Sequence, residues 1–135
     1  MNIYKEEISD HFKSPRNFGL KEDKDWVVAE ERNSSCGDVI KLGVKINKFE
    51  VTQPMGGQAN LKFIEEVGFE GEGCAICMAS ASMLTEMIKG KSLKEAGNIG
   101  EEEMMERLGI KISAGRKKCA TLGLVAWQKL QKMYE

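Results

Sequence analysis

The residues best suited to chemistry in this chain are its four cysteines, at positions 36, 74, 77 and 119. Cys36 is followed by Gly37-Asp38, Cys74 follows a glycine-rich stretch, and Cys119 follows Arg116-Lys117-Lys118. Glycine lets the backbone and a partner approach closely, and a neighbouring Lys or Arg favours the thiolate, which is the form that binds metals and attacks sulfur. The pattern therefore predicts sulfur or metal chemistry at Cys36, Cys74 and Cys119.

An oxygen ligand is available beside the first of these cysteines. Asp38 lies two residues after Cys36 and carries a carboxylate of suitable reach. Three soft thiolates with one exchangeable oxygen suit zinc, or an iron-sulfur cluster that is later given away, whereas four thiolates hold a metal more permanently. The spacing alone is a weak signal, because an isolated cysteine is equally often a small buried core residue.

Cys77 fits the role of a buried core residue best, since it falls three residues into an apolar helical segment. A redox pair formed by Cys74 and Cys77 is the less favoured alternative, because no βαβ unit precedes the two cysteines. His11 is the only histidine and lies far from the cysteines in sequence. We expect it to face solvent or a partner rather than to bind metal.

Length and charge limit the class of protein. The 135 residues, 41% of them hydrophobic, suit one domain spanning 1–135. Twenty Lys and Arg against 21 Asp and Glu give no electrostatic reason to expect nucleic acid or an anionic membrane as partner. The charged first residues contain no hydrophobic leader and no apolar run is long enough to span a bilayer, so we expect a cytoplasmic protein without structural disulfides.

The elements that must position the cysteines follow the order helix, strands, helices. Periodicity and breaker residues predict a helix over 3–13, strands over 26–30, 40–46 and 61–69, a helix over 75–89 ending at Gly90, short helices starting near Ser92 and Glu101, and a C-terminal helix starting near Cys119. We expect an α+β fold, with helices packed on one face of a three-stranded antiparallel sheet. Cys36 then lies in the loop entering the second strand, and Cys74 and Cys119 lie at helix N-termini, where the dipole favours negative charge.

The C-terminal helix shows an apolar pattern that predicts its buried face. The expected members of this face are Leu122, Val125, Leu130 and Met133, with Ala126 and Trp127.

Together these segments resemble the family of iron-sulfur cluster assembly scaffolds that includes IscU, SufU and the N-terminal domain of NifU, and the similarity runs over nearly the whole chain. The resembling segments are Tyr4, Ser14-Pro15-Arg16-Asn17-Phe18-Gly19, Ser35-Cys36-Gly37-Asp38, Gly73-Cys74-Ala75-Ile76 with Ala79-Ser80-Ala81-Ser82, Gly90-Lys91-Ser92-Leu93 and Arg116-Lys117-Lys118-Cys119-Ala120.

The resemblance implies a cofactor site formed by Cys36, Asp38, Cys74 and Cys119. It implies that the site accepts persulfide sulfur from a cysteine desulfurase, with Cys119 as the candidate acceptor, and assembles a transient [2Fe-2S] cluster for apo iron-sulfur proteins. Zinc can occupy the resting site, so the alternative is a SufU-type, zinc-binding sulfur acceptor that stimulates a desulfurase. The chain is expected to be a scaffold or sulfur acceptor rather than an enzyme, with a sulfurtransferase role and a homodimer left open.

Three departures concern the branch of the family. IscU has a histidine where this chain has Lys118, which makes the ligand set similar to that of SufU. The segment from Ser92 to Gly115 is too short for the insertion that SufU proteins usually carry. The chaperone-docking sequence of IscU is replaced by Gly109-Ile110-Lys111-Ile112-Ser113, so delivery through a dedicated Hsp70 is not expected.

Overall fold

The computed structural model describes residues 3–34, 37–52 and 58–134. The elements run α1 (Ile3–Lys13), β1 (Trp26–Asn33), β2 (Asp38–Thr52), β3 (Gln58–Glu72), α2 (Ala75–Ile88), α3 (Leu93–Gly97), α4 (Glu101–Leu108), a 3-10 turn (Ala114–Arg116) and α5 (Lys117–Met133). The predicted order of elements and the α+β class are confirmed. Each strand is longer than its alternating pattern indicated, and the predicted breaker cluster at 53–58 lies mostly outside the described residues.

The three strands form one antiparallel sheet in the order β1-β2-β3. Ile40, Leu42 and Val44 alternate along β2 and are fully buried, because successive side chains of a strand point to opposite faces. Asn33 pairs with Asp38 between β1 and β2, and Val39 pairs with Glu72 between β2 and β3. The end of β1, the start of β2 and the end of β3 therefore lie side by side at one end of the sheet.

Helices α2 and α5 pack against this sheet and against each other, and α1 packs on α2. The largest fully buried side chain is that of Trp127 on α5, whose indole N–H donates to the Ala96 carbonyl at 3.0 Å. A smaller cluster joins α1, α2, α4 and α5 through Ile8, Ala79, Met83, Leu108 and Ala120. Among the described residues, every helix is too short or too polar to cross a bilayer.

The predicted helix ends are confirmed by their capping geometry. Ser92 is the N-cap of α3, and its hydroxyl oxygen accepts from the Glu95 backbone N–H at 3.1 Å. Gly109 closes α4 with a φ of 69°, and Gly90 follows α2 with a φ of 80°. Glycine suits both positions because left-handed backbone costs it little.

The predicted buried face of α5 is partly wrong. Leu122, Ala126, Trp127 and Leu130 are buried, but Val125 and Met133 are 37% and 59% exposed. At about 100° per residue, Val125 is turned at least about 100° away from Ala126 and Leu130, whereas Met133 shares their face but is the last residue of α5 and lies where the helix ends. The sequence pattern predicted both residues in the core only because both are apolar.

The expected location of His11 at the surface is also wrong, since its ring is 4% exposed between α1 and α2. Its Nδ1 lies 2.7 Å from the Ser82 hydroxyl oxygen, which also accepts the Arg16 backbone N–H at 2.8 Å. Its Nε2 lies 3.4 Å from a carboxylate oxygen of Glu86. Burial, together with the nearby charge of Arg16, lowers the pKa of His11, so the ring is neutral at pH 7 and serves to hold α1 on α2.

Candidate metal centre

Three of the four residues predicted to bind metal come together at the end of the sheet where β1 ends and β2 begins. A carboxylate oxygen of Asp38 and the sulfurs of Cys74 and Cys119 all lie within 4.8 Å of one another. Asp38 is the first residue of β2, Cys74 is the N-cap of α2, and Cys119 is the third residue of α5. Cys36 lies outside the described residues, so its part in the centre stays a prediction.

The turn between β1 and β2 places Asp38. Gly37 adopts a φ of 77°, which favours glycine, and its N–H donates to the Asn33 carbonyl at 2.8 Å. Asp38 follows directly, opposite Asn33 in the register, and is 7% exposed.

Cys74 begins α2, and its carbonyl accepts the Met78 N–H at 3.0 Å in the first turn. Helix N-termini carry unpaired N–H groups and favour negative charge, which suits a ligand set of thiolates and a carboxylate.

Gly73 lets the segment before α2 pass close to Asp38 and Cys77. A Cβ at Gly73 would lie 3.0 Å from the sulfur of Cys77 and 3.1 Å from Cγ of Asp38. Cys77 is fully buried and belongs to the main core, which confirms the core position predicted for it. The structure gives Cys74, Cys77 and Cys119 as thiols.

Cys119 is held near Cys74 by the contact between α2 and α5. The Ser80 hydroxyl donates to the Ala120 carbonyl. A Cβ at Gly123 would lie 3.3 Å from the Cα of Ala81, so small residues allow the two backbones to approach closely. The small residues of Ala79-Ser80-Ala81-Ser82 therefore bring the starts of α2 and α5, with their cysteines, to the same end of the sheet.

The basic residues before Cys119 do not act alike. Lys117 forms an ion pair with Glu101 at 2.5 Å, while Arg116 and Lys118 are exposed. A groove of about 250 Å³ opens between the end of β1 and α5. It is lined by Arg32, Ser34, Lys118 and Thr121, among others.

Asn33 was not expected at the centre, but its side-chain N–H group points to the sulfur of Cys119, with Nδ2 and Sγ 3.9 Å apart. The two residues are 86 positions apart. A single asparagine three residues beyond the strand predicted over 26–30 carries no signal of such a contact.

The chemistry of the donor set fits a metal ion. Oδ2 of Asp38 is buried and has no hydrogen-bond partner among the described atoms, and such an oxygen costs free energy unless a donor or a cation satisfies it. Zinc binds sulfur at about 2.3 Å, which puts two ligand sulfurs about 3.8 Å apart in a tetrahedral site. Separations within 4.8 Å need only a small closure to reach that geometry.

Comparison with known proteins gives a consistent set of matches. The family model described as "NifU-like N terminal domain" matches residues 3–135. The chain is 34% identical to the zinc-dependent sulfurtransferase SufU of Bacillus subtilis (strain 168), over 96% of this chain and 88% of that protein. It is 36% identical to the iron-sulfur cluster assembly scaffold protein IscU of Aquifex aeolicus (strain VF5), over 90% of this chain and 69% of that protein.

A solved structure extends the similarity to the fold. The crystal structure of an iron-sulfur cluster assembly scaffold protein for the SUF system from Fervidobacterium islandicum AW-1 superposes with a TM-score of 0.64. The two chains are 26% identical, over 92% of this chain and 93% of that one.

Proposed function

Because the chain belongs to the family of NifU-like N-terminal domains, we propose that it is a scaffold that assembles a labile [2Fe-2S] cluster and passes it to apo-proteins. The observation that carries this proposal is that donor atoms of Asp38, Cys74 and Cys119 lie within 4.8 Å of one another at one end of the sheet. Cys36, next to Gly37, is the proposed fourth ligand. The relatives named as IscU scaffolds support the assignment.

The proposed sulfur donor is a cysteine desulfurase that carries a persulfide. The thiolate of Cys119 attacks the terminal sulfur of this persulfide, the sulfur–sulfur bond of the donor breaks, and the donor cysteine leaves as a thiolate. A new sulfur–sulfur bond forms on Cys119, and the step neither gains nor loses electrons. The groove beside Lys118 supports this role, because it offers the donor an approach to the same end of α5.

Asp38 has a distinct part in the proposed transfer. A carboxylate oxygen is a hard ligand and binds iron more weakly than a thiolate in a cluster of this kind. Asp38 would therefore be the ligand that a recipient protein displaces most readily, while Cys36, Cys74 and Cys119 still hold the cluster. The proposed recipients are apo iron-sulfur proteins.

A second function, that of a zinc-dependent sulfur acceptor, is favoured by one specific observation. The match to the SufU sulfurtransferase spans 96% of this chain and 88% of that protein. Asp38, Cys74 and Cys119, with Cys36, would hold the zinc. When bound, zinc supplies positive charge that keeps thiol ligands deprotonated.

The single domain over 1–135 and the cytoplasmic location stay predictions.

One preparation distinguishes the two functions. Protein purified without oxygen is incubated with ferrous iron, cysteine, a cysteine desulfurase and dithiothreitol, which supplies the two electrons needed to reduce each persulfide sulfur to sulfide. Acid-labile sulfide, iron, zinc and the visible absorption spectrum are then measured. A sulfide-containing chromophore establishes the scaffold. Retained zinc without sulfide, combined with faster desulfurase turnover, establishes the sulfur acceptor instead.

The cysteine variants make the same experiment specific. Cys36→Ser, Cys74→Ser and Cys119→Ser should each abolish the chromophore. Cys77→Ser is the matched control, because Cys77 is buried and stands outside the group of three ligand atoms. Loss of the chromophore in Cys77→Ser alone would contradict the proposed ligand set and favour the redox pair of Cys74 and Cys77.

A further inference from the structure

Asn33 occupies a buried position at the point where the segments of the centre meet. It is the last residue of β1, is 7% exposed, and pairs with Asp38 across the sheet. A polar side chain at such a position must find hydrogen-bond partners, because an unsatisfied buried amide costs free energy. One partner of the amide is the sulfur of Cys119.

The contact has one direction, because the Nδ2 group of Asn33 only donates and the sulfur of Cys119 accepts. At 3.9 Å the contact is long, and it fixes where the sulfur lies relative to the end of β1.

The backbone of Asn33 holds a second part of the centre. Its carbonyl accepts the Gly37 N–H at 2.8 Å and so holds the residue that precedes Asp38. Asn33 thus contacts the start of β2 through its carbonyl and α5 through its amide. Asn33 also lines the groove that opens beside Lys118 and Thr121.

We propose that Asn33 is a positioning residue that orients the sulfur of Cys119 for attack on an incoming persulfide. The part that concerns persulfide rests on the proposed function, and the contact with Cys119 does not. Asn33 acts through Cys119, since its amide touches the sulfur that reacts. In the persulfide state the same sulfur becomes the inner atom of the pair and keeps the amide as its neighbour.

The decisive variant is Asn33→Asp, which keeps the shape of the side chain but replaces the donor by a negatively charged acceptor. Metal-free protein is treated with iodoacetamide at a fixed pH, and alkylation of each cysteine is followed by peptide mass spectrometry. Cys74 in the same molecules is the internal reference. The matched control is Asn98→Asp, which makes the same change at the exposed C-cap of α3.

We expect Asn33→Asp to slow alkylation of Cys119 by at least about tenfold, because the donor that holds the sulfur is replaced by a carboxylate that repels it. The rate at Cys74 should stay within twofold, and Asn98→Asp should change neither rate. An unchanged rate at Cys119, or equal slowing at both cysteines, overturns the inference. If circular dichroism shows that Asn33→Asp does not fold, Asn33→Ala is judged by the same ratio of rates.

A second measurement separates this inference from the proposed function. Wild-type and Asn33→Asp proteins are incubated with a persulfide-loaded desulfurase, and persulfide on Cys119 is quantified. If the wild type accepts persulfide, the variant should carry at least about tenfold less after one short incubation. If the wild type accepts none, the sulfur step is overturned, while the alkylation ratio still decides whether Asn33 positions Cys119.

Discussion

Gly73 shows how little room the metal centre leaves for change. Its missing side chain lets the sulfur of Cys77 and the carboxyl carbon of Asp38 approach to about 3 Å from where a Cβ would stand. Glycine is needed here for space, since its φ lies outside the left-handed range. Gly73 therefore allows Asp38 at the start of β2 and Cys77 of α2 to lie close to the backbone before Cys74.

Gly73→Ala should disturb the centre and the core together. The added methyl group must displace Cys77 or Asp38 by a few tenths of an ångström. Such overpacking costs about 1–3 kcal/mol of unfolding free energy, and zinc affinity should fall by at least about tenfold because a ligand moves. Urea unfolding and chelator competition measure the two effects. Gly115→Ala is the control, since a Cβ there meets no atom within 4 Å, and an equal effect of both variants would contradict the prediction.

Asp38→Ala should make the cluster more persistent. Removing the exchangeable oxygen should slow transfer to an apo-ferredoxin by about tenfold or more, since the weak ligand no longer assists release. Loss of the visible chromophore over time after adding the acceptor measures the rate. Asp25→Ala, at an exposed position in the loop before β1, is the control. Unchanged transfer kinetics would count against the role given to Asp38.

The residues of the centre were open to prediction from sequence to different degrees. Cys74, Cys119 and Asp38 stand in segments with a recognisable composition, and their resemblance to a known family supplied the ligand set. Asn33 could not be predicted, because its contact with Cys119 spans 86 positions and leaves no local pattern. His11 lies three residues after the buried Ile8 on α1, so helical spacing alone already favoured a buried ring.

At the scale of elements, α1 is attached to the rest of the molecule by polar contacts as well as by Ile8. Ser82 and Glu86 of α2 contact the two ring nitrogens of His11, and Ser82 also accepts the Arg16 N–H. Asn17 extends the contact, because its side-chain amide donates to the Thr85 hydroxyl at 3.0 Å. The Ser14–Gly19 segment therefore serves as a bridge between α1 and α2.

His11 should make stability depend on pH. Burial lowers its pKa below the ordinary value of 6.5, so the unfolded chain binds a proton at a higher pH than the folded protein. The contribution of His11 is complete above pH 6.5 and is lost as the pH falls from 6.5 toward its lowered pKa. Urea unfolding at pH 7.5 and pH 5.5 should show a loss of stability on acidification that is smaller in His11→Gln.

Comparing the two pH values within each protein removes the direct cost of the substitution. Asp10, Arg16 and Glu86 surround the ring and are unchanged in the variant. Equal losses in wild type and His11→Gln would show that His11 does not cause the pH dependence.

Most elements were predictable because their signals are local. Alternation along β2, the Ser92 cap and the left-handed Gly109 each follow from a few neighbouring residues. The face of α5 was harder, since the apolar Val125 and Met133 are both exposed, Val125 on a neighbouring face and Met133 at the last residue of the helix. Which apolar residues of a helix are buried depends on the position of its neighbours, and a pattern of residue types shows this only approximately.

At the scale of the whole molecule, the centre joins parts of the chain that are distant in sequence. Asp38, Cys74 and Cys119 belong to β2, α2 and α5, so their donor atoms meet only when the sheet and both helices are assembled. Ligands that meet only in the folded state make metal binding and folding one coupled process.

Zinc should therefore stabilise the entire fold. Free zinc at 100 times its Kd should raise the unfolding free energy by about 2.7 kcal/mol, and removing the metal with a chelator should reverse the gain. Urea unfolding with and without zinc measures the difference. Cys119→Ser should lose most of the gain, whereas Cys77→Ser should keep it. A gain of the same size in Cys119→Ser would mean that zinc stabilises the fold at another place.

Because Trp127 is buried in α5, its fluorescence can report a movement of this helix. The chain has two tryptophans, and Trp127 lies eight positions after Cys119 on the same helix, fully buried and bonded to the Ala96 carbonyl. An indole in such surroundings emits at shorter wavelength than one in water. If sulfur loading or cluster release moves α5, the emission of Trp127 should shift toward the red, and replacing Trp26 with Phe would make that fluorescence the signal of a single ring. The movement of a helix that carries a reactive cysteine could then be followed in real time without any attached dye.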